Sequence, residues 1–220
     1  MAEQITSPHN PRVKEAIKLR IGRRRTRQGR ILIDGWREVQ RALQAGVEVS
    51  EVFACPASKD AMGEESLAAW EEAGVRVFRV SANVFSRMAY GDREQGVLAV
   101  ARTPQHSLDA IAPPEDALVI VLEGVEKPGN VGAVARTADA VGAAAVIVAD
   151  GATDLYNPNA IRASLGTIFT LPVCAAGSLE TLAWLRQRRF QIVATRVDGA
   201  IAYSQVSYLA PTAIVLGSEA

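Results

Sequence analysis

One short segment of the 220-residue sequence combines residue types that suit the binding of an anion. The apolar run Ala117–Leu122 leads into Glu123-Gly124, and Pro128-Gly129-Asn130 then opens an alanine-rich stretch that ends at Gly142. Glycines at such turns let the backbone approach a ligand closely. Arg136 offers a permanent charge and a planar fork of donors, which suit a phosphate or a developing alkoxide. The segment therefore predicts an anion site of modest specificity.

The spacing inside this segment predicts a helix over residues 130–141. Asn130 is the predicted cap, because its side chain can accept a backbone N–H of the first turn. Apolar residues fall at helical spacing and are expected to face a sheet, namely Val131, Val134, Ala138 and Val141. Arg136 lies off that stripe, over the turn that carries Gly132, where no side chain would block a ligand. The alternative is that Arg136 pairs with Asp139 on the helix surface and that the glycines only form turns.

Several common kinds of site are not expected. The sequence contains no G-x-x-x-x-G-K-[ST] run and no G-x-G-x-x-G after the first strand of this part, so it predicts no ATP or NAD site. His9 and His106 stand alone, which excludes a Ser/His/Asp triad in this half and gives no metal-ligand spacing. No metal is expected.

Cysteine usage and hydropathy bear on the compartment. Cys55 and Cys174 lie far apart and are expected to be buried, reduced thiols rather than a disulfide or a metal pair. No apolar run approaches the roughly 20 residues that span a bilayer. The expected location is the cytoplasm.

The net charge of zero hides a basic N-terminal segment. Residues 1–30 hold nine Lys and Arg against Glu3 and Glu15, a balance of +7, so the remaining chain carries −7. Such asymmetry favours a polyanion partner, and nucleic acid is the first candidate; a solvated basic face is the alternative. The candidate nucleic-acid contacts are Arg12, Lys14, Arg23, Arg24, Arg25 and Arg27.

Alternating helical and strand patterns predict an α/β fold in two parts. Residues 1–103 are expected to form a small α/β sandwich, residues 104–116 a proline-bearing linker, and residues 117–220 a second domain. The first part is predicted to contain helices at Val13–Leu19, Trp36–Ala45 and Glu64–Ala73, a short helix that Ser81 caps and that ends at Met88, and strands at Ile31–Ile33, Val49–Ala54, Val75–Val80 and Val97–Ala101.

The second part shows near-continuous apolar runs separated by helices. The predicted strands are Ala117–Leu122, Ala144–Ala149, Ile168–Val173, Gln191–Thr195 and Ala213–Leu216, and the further predicted helices are Pro158–Leu165 and Leu179–Arg189. Such runs indicate an open, doubly wound parallel sheet, whose ligands lie beyond the carboxyl ends of the strands. Thr195-Arg196 and Gly217-Ser218-Glu219 follow two of those ends.

Three segments of the second part resemble a known family. Asn130-Val-Gly-Ala-Val-Ala-Arg136-Thr-Ala resembles the first signature motif of the SpoU branch of the SPOUT RNA methyltransferases. Arg162-Ala-Ser-Leu-Gly-Thr-Ile-Phe169 and Ile214-Val-Leu-Gly-Ser-Glu219 are similar to later motifs of that family. Ser7-Pro-His-Asn-Pro-Arg-Val-Lys14 and Ile31-Leu-Ile-Asp-Gly35 resemble the ribosomal-protein-like RNA-binding domain that precedes many of its catalytic domains, with Asp34 where the family usually has Glu.

The resemblance implies an activity and a set of roles. It implies methylation of a ribose 2′-hydroxyl in structured rRNA or tRNA, with S-adenosylmethionine as methyl donor and no metal. Arg136 would assist deprotonation of the hydroxyl and hold the neighbouring phosphate, with Asn130 and Glu219 in the same site. The donor pocket would be lined by Thr195, Gly217, Ser218 and Glu219. The resemblance also implies a homodimer.

One departure from the family bears on activity. The family continues past Gly-Ser-Glu with a third motif that completes a trefoil knot, whereas the sequence stops at Ala220. We expect a truncated form that binds S-adenosylmethionine poorly, forms a weakened dimer and is inactive as a methyltransferase. The alternatives are a non-catalytic RNA-binding protein with a degenerate SPOUT domain and, more remotely, a small-molecule enzyme that uses the anion site. The RNA and the nucleotide modified are left open.

Overall fold

The computed structural model describes residues 3–58, 64–89, 95–198 and 201–217. Within these residues the chain folds into two lobes, each built on one five-stranded sheet. The first lobe contains β1 (Glu3–Ile5), α1 (Pro11–Lys18), α2 (Gly22–Gln28), β2 (Arg30–Asp34), α3 (Trp36–Gln44), β3 (Val49–Ala54), α4 (Glu64–Glu72), β4 (Arg76–Val80), α5 (Ala82–Met88) and β5 (Val97–Arg102). The second contains β6 (Leu118–Glu123), α6 (Pro128–Ala140), β7 (Ala145–Ala149), α7 (Pro158–Ala163), α8 (Thr167–Thr170), β8 (Val173–Ala176), α9 (Ser178–Gln187), β9 (Gln191–Ala194) and β10 (Thr212–Leu216).

The first sheet is mixed and is covered on both faces by helices. Its strand order is β1-β4-β3-β5-β2, with β1 and β3 parallel to β4, and β5 antiparallel to β3 and β2. Alternate residues of each strand point to opposite faces, so Ile31 and Ile33 pack with α3 and α4 while Leu32 packs with α1 and α5. This arrangement is the predicted α/β sandwich.

The second sheet is parallel throughout its described strands and doubly wound, as predicted. Its order is β8-β7-β6-β10-β9, so the chain runs outward from β6 to β8, crosses over to β9 and returns to β10 beside β6. Leu118 and Leu122 of β6 pair in register with Thr212 and Leu216 of β10. The strand order therefore reverses between β6 and β10, and a crevice is expected beyond the carboxyl ends of these two strands.

One cluster of buried apolar side chains is shared by the two lobes. The cluster includes Ile33 and Val39 of the first lobe together with Val131, Ile161 and Ile168 of the second. Helix α3 therefore packs against α8, and α7 packs against β2, in the layer between the two sheets. Apolar burial in this shared cluster therefore helps to fix the position of the second sheet relative to the first.

The segment that connects the lobes also packs onto the second. Leu108 and Ile111 are buried with Trp184 and Phe190 on the face of the second sheet that α9 covers. The Trp184 indole N–H donates to the Leu108 carbonyl oxygen at 3.0 Å. Residues 104–116, predicted as a linker, thus contribute to the core of the second lobe.

Both cysteines are buried and unbonded, on different sheets. Cys55 belongs to the cluster beneath α1 and α5, and Cys174 to the cluster beneath α9. Burial, with a smaller contribution from the Glu180 charge, raises the pKa of the Cys174 thiol to about 11. Within the described parts of the chain, no helix is both long and apolar enough to cross a membrane.

One predicted strand is wrong in part. Residues 168–170, placed in a strand over Ile168–Val173, belong to α8, and β8 begins only at Val173. The backbone enters α8 through Gly166 in the left-handed region, at φ 85°, and the Thr167 hydroxyl donates to the Ser164 carbonyl oxygen at 2.9 Å. A short apolar run suits a buried helical turn as well as a strand, and here it fills the core between the lobes.

Helix α6 packs unusually close to α7 at Gly132. A Cβ at this position would collide with the Ala160 carbonyl oxygen and lie 2.8 Å from the Ala163 Cβ and 2.9 Å from the Ser164 nitrogen. The prediction that Gly132 leaves space for a ligand is therefore wrong, because α7 fills that space. The predicted apolar stripe also ends early: Val131 and Ala138 are buried, but Val141 follows the last helical residue and is 60% exposed.

We expect Gly132→Ala to destabilise the protein, because a methyl group there must push α6 and α7 apart. Forcing a methyl into a packed contact costs about 1–3 kcal/mol, which urea unfolding would measure as a lower midpoint. Gly129→Ala is the matched control in the same helix, since a Cβ there has no heavy atom within 4 Å. Equal midpoints for the two variants would contradict the close contact.

Candidate functional site

A cleft opens where the strand order of the second sheet reverses. It has a volume of about 590 Å³, within the usual range for small-molecule sites, and lies beyond the carboxyl ends of β6 and β10 beside the start of α6. Its lining residues are Leu122, Gly124, Val125, Glu126, Lys127, Asn130, Ala133, Val134, Leu216 and Gly217. The cleft brings together the motif segment that begins at Asn130 and the one that contains Leu216 and Gly217, which are about 85 residues apart in the sequence.

Asn130 lines this cleft but does not cap the helix. Helix α6 begins at Pro128, and its N-cap residue is Lys127, whose side chain makes no capping hydrogen bond. Proline is preorganised for the first helical position, so the helix starts two residues before Asn130. The Asn130 backbone N–H instead donates to the Lys127 carbonyl oxygen at 3.0 Å. The predicted cap is wrong, and the exposed Asn130 amide is left facing solvent beside the cleft.

Arg136 is exposed at the rim of the cleft. Arg136 does not line the cleft itself, but Ala133 does. Because Arg136 follows Ala133 by three positions, the two residues lie on the same face of α6. Among the described residues the Arg136 guanidinium has no hydrogen-bond or ion-pair partner. Asp139, the alternative partner, accepts the Thr170 hydroxyl at 3.2 Å. The surface ion pair with Asp139 is thus absent, and the Arg136 charge faces solvent.

Two charged lining residues were not singled out by the sequence analysis. Glu126 and Lys127 sit between the end of β6 and the first turn of α6, and both line the cleft. Their position in the loop that joins a strand end to a helix start is the signal that could have identified them, because ligands of doubly wound sheets contact such loops.

Of the residues predicted to line a donor pocket, one lines the cleft, one does not, and two lie outside the described residues. Gly217 lines the cleft, and a Cβ there would meet no heavy atom within 4 Å, so its backbone is open to a ligand. Thr195 follows β9 and is not part of the cleft lining; its N–H and its hydroxyl both donate to the Val215 carbonyl oxygen, at 2.9 and 3.1 Å. Ser218 and Glu219 lie outside the described residues.

The candidate nucleic-acid contacts of the first lobe divide into three groups. Lys14, Arg23 and Arg27 are exposed, and Arg24 is half-buried. Arg12 is held in place, with its Nη1 2.6 Å from a Glu51 carboxylate oxygen and its guanidinium 5.0 Å from the Phe78 ring centre. The third group is Arg25 alone.

Arg25 is buried and engaged within the protein, so its prediction as a nucleic-acid contact is wrong. Its side chain is 3% exposed, and its Nη2 lies 2.7 Å from an Asp154 carboxylate oxygen in the second lobe. Its Nη1 donates to the Leu19 and Arg20 carbonyl oxygens at 2.7 and 2.8 Å. These partners use the guanidinium and leave it no access to an external phosphate.

Comparison with known proteins gives two family matches and several close structural relatives. Residues 117–220 match the SpoU rRNA Methylase family, and residues 10–99 match the MRM3-like substrate binding domain. A 23S rRNA (uridine(2479)-2′-O)-methyltransferase of Streptomyces viridochromogenes is 31% identical over 99% of this chain and 78% of its own length.

Solved structures agree with these matches. A crystal structure described as an RNA 2′-O ribose methyltransferase is 40% identical, with a TM-score of 0.83 over 97% of this chain and 81% of that one. An AdoMet-bound rRNA methyltransferase from Sinorhizobium meliloti is 28% identical, with a TM-score of 0.87 over all of this chain and 82% of that one. The similarity thus extends over both lobes.

Proposed function

The chain belongs to the SpoU rRNA methylase family, and from that membership we propose how its residues divide the work of the reaction. The protein is an RNA 2′-O-methyltransferase that uses S-adenosylmethionine. We assign Arg136 as the catalytic residue and 23S rRNA as the substrate. The observation that carries the assignment is an exposed arginine that has no partner among the described residues and lies one helical turn from a residue that lines the cleft.

Arg136 suits the demand that the substrate makes. A ribose 2′-hydroxyl is a poor nucleophile near neutral pH, because its oxygen gains negative charge as the proton leaves. A guanidinium stays protonated, so Arg136 stabilises the developing alkoxide and does not itself take the proton, which passes to solvent water at the exposed edge of the cleft. The same fork of donors can hold the adjacent phosphate, which places the hydroxyl for attack. Asn130, exposed in the cleft lining, offers an amide NH2 as donor and a carbonyl oxygen as acceptor to the ribose or the base.

The cleft fits the methyl donor. S-adenosylmethionine, when bound, supplies the methyl group. The lining offers apolar walls from Leu122, Val134 and Leu216 and open backbone at Gly217, a combination typical of small-molecule sites. Of the residues assigned to the donor, Gly217 lines the cleft. The assignment of Thr195, Ser218 and Glu219 to the donor, and of Glu219 to the catalytic residues, rests on the motif resemblance.

The first lobe supplies the sequence-independent part of RNA binding. Arg23, Arg24 and Arg27 crowd one side of α2, where mutual repulsion would be relieved by phosphates. The match of residues 10–99 to a substrate binding domain supports this role. The Streptomyces relative is a 23S rRNA methyltransferase by name, which supports the choice of 23S rRNA as the substrate.

We further propose that the protein works as a homodimer in the cytoplasm. Support for association comes from apolar side chains exposed between β9 and β10, which include Val197, Ile201, Tyr203 and Leu209. Contiguous exposed apolar surface is typical of protein interfaces. Support for the compartment comes from the two free, buried thiols.

We expect Arg136→Ala to lower the rate of methyl transfer by about 10²–10³-fold, because the alkoxide loses its stabilising charge. Transfer of labelled methyl groups to transcribed 23S rRNA measures the rate, and RNA affinity is expected to stay within about threefold, since one phosphate contact of many is lost. Arg186→Ala, at an exposed arginine of α9, is the matched control and keeps the wild-type rate. An unchanged rate in Arg136→Ala would exclude the catalytic assignment.

Replacing Arg23, Arg24 and Arg27 together with Gln should weaken RNA binding and make it less sensitive to salt. Log affinity falls as log salt rises, and each lost phosphate contact reduces the steepness of this fall by about 0.7 to 0.9. The loss of three contacts therefore reduces the steepness by about two to three. Filter binding from low to high salt measures the slope, with Arg186→Gln as control. If the slope stays at the wild-type value, these arginines form only a solvated surface.

The dimer predicts a sedimentation mass of twice the 23.5 kDa chain. Tyr203→Glu and Leu209→Glu, which place charges on the exposed apolar segment, should shift the protein to a single-chain mass while circular dichroism shows that it is still folded. A wild-type protein that sediments as one chain at micromolar concentration would contradict the proposal.

A further inference from the structure

Helix α2 carries the basic surface of the first lobe, yet it has no apolar anchor. Its sequence is Gly-Arg-Arg-Arg-Thr-Arg-Gln, and its single buried residue is Arg25. Surface helices are usually held to a protein by an apolar stripe, which this one lacks. The position of α2 therefore depends on the contacts of one buried arginine.

Those contacts connect α2 to both lobes. The Arg25 Nη1 donates to the carbonyl oxygens of Leu19 and Arg20, which follow the last residue of α1. Its Nε and Nη2 both reach one carboxylate oxygen of Asp154, each at 2.7 Å. Asp154 is 129 positions further along the chain, in the loop that follows β7. This charge-assisted fork is stronger and more directional than a surface ion pair.

Asp154 is itself fixed by the second lobe. Its other carboxylate oxygen accepts the Tyr156 N–H at 3.0 Å, and its carbonyl oxygen accepts the Asn157 N–H at 3.0 Å. The Asn157 side chain caps α7 by accepting the Asn159 N–H at 2.9 Å. Because α7 packs on α6 at Gly132, a continuous set of contacts runs from α2 to the helix that bears Arg136.

We propose that Arg25 and Asp154 are positioning residues for the methyl transfer reaction. They hold α2 so that Arg23, Arg24 and Arg27 grip RNA phosphates at a fixed distance from Arg136. This inference rests on the proposed function, because it assumes that α2 binds RNA and that Arg136 is catalytic. When Arg25 or Asp154 is lost, the three arginines still attract RNA, so RNA affinity is retained. The target ribose is no longer held at a fixed position relative to Arg136, so the rate of methyl transfer falls.

Asp154→Asn in the full protein tests the proposal through two independent measurements. The first is hydrogen exchange of the amides of residues 22–28, which should quicken by about tenfold or more, since the charge-assisted hydrogen bonds that hold the helix are weakened. The second is methyl transfer to transcribed 23S rRNA, whose kcat should fall by about 10- to 100-fold while RNA affinity stays within about threefold. Arg25→Lys, which keeps the charge but loses the fork, should change both quantities in the same direction.

Asp150→Asn is the matched control, because it makes the same chemical change in the same loop without touching Arg25. It should leave both quantities at their wild-type values. Unchanged exchange in Asp154→Asn and Arg25→Lys would overturn the anchor, and faster exchange with an unchanged kcat would overturn the positioning role. A wild-type protein that transfers no methyl group would overturn the proposed function instead, and the exchange measurement would still decide whether Asp154 holds α2.

Discussion

The close contact between α6 and α7 at Gly132 is the constraint on which the other features of the site depend. It seats α7 between α6, which bears Arg136, and β2 of the first lobe, so the same contact links the second lobe to the first. With that packing in place, Asn130 and Ala133 line the cleft, and Arg136 is presented at its rim. A side chain at position 132 would push α6 away from α7. Arg136 would then move relative to the cleft and to a ligand bound there.

Much of the fold was predictable, because parallel strands covered on both faces leave a plain pattern. Runs such as Ala145–Ala149 are buried residue by residue, and the glycine-bearing turns after β6 and β10 mark the edge where ligands bind. The candidate site was predictable to the same extent: Asn130, Arg136 and Gly217 were chosen from strand ends and motifs, and the structure brings them to one cleft edge. Their chemical roles stay predictions.

What could not be predicted depends on contacts between distant parts of the chain. Arg25 looks like its neighbours Arg23 and Arg27 in sequence, and only Asp154, supplied by the other lobe, distinguishes it. From the sequence alone, Gly132 predicts open space over its turn of the helix, and only the structure shows that α7 fills this space. Ile168 fits a strand or a helix equally, and the core between the lobes selects the helix. Asn130 failed as a cap for a local reason, since Pro128 starts the helix earlier.

The central claim is that the cleft edge at Arg136 serves a ribose hydroxyl of RNA. Alkaline hydrolysis of the labelled product tests it most directly, because a methyl group on the 2′-oxygen removes the nucleophile that cleaves the adjacent phosphodiester bond. The account predicts that all labelled methyl groups transferred by the wild-type protein appear in an alkali-resistant dinucleotide. Label recovered in mononucleotides, which would place the methyl group on a base, would contradict it.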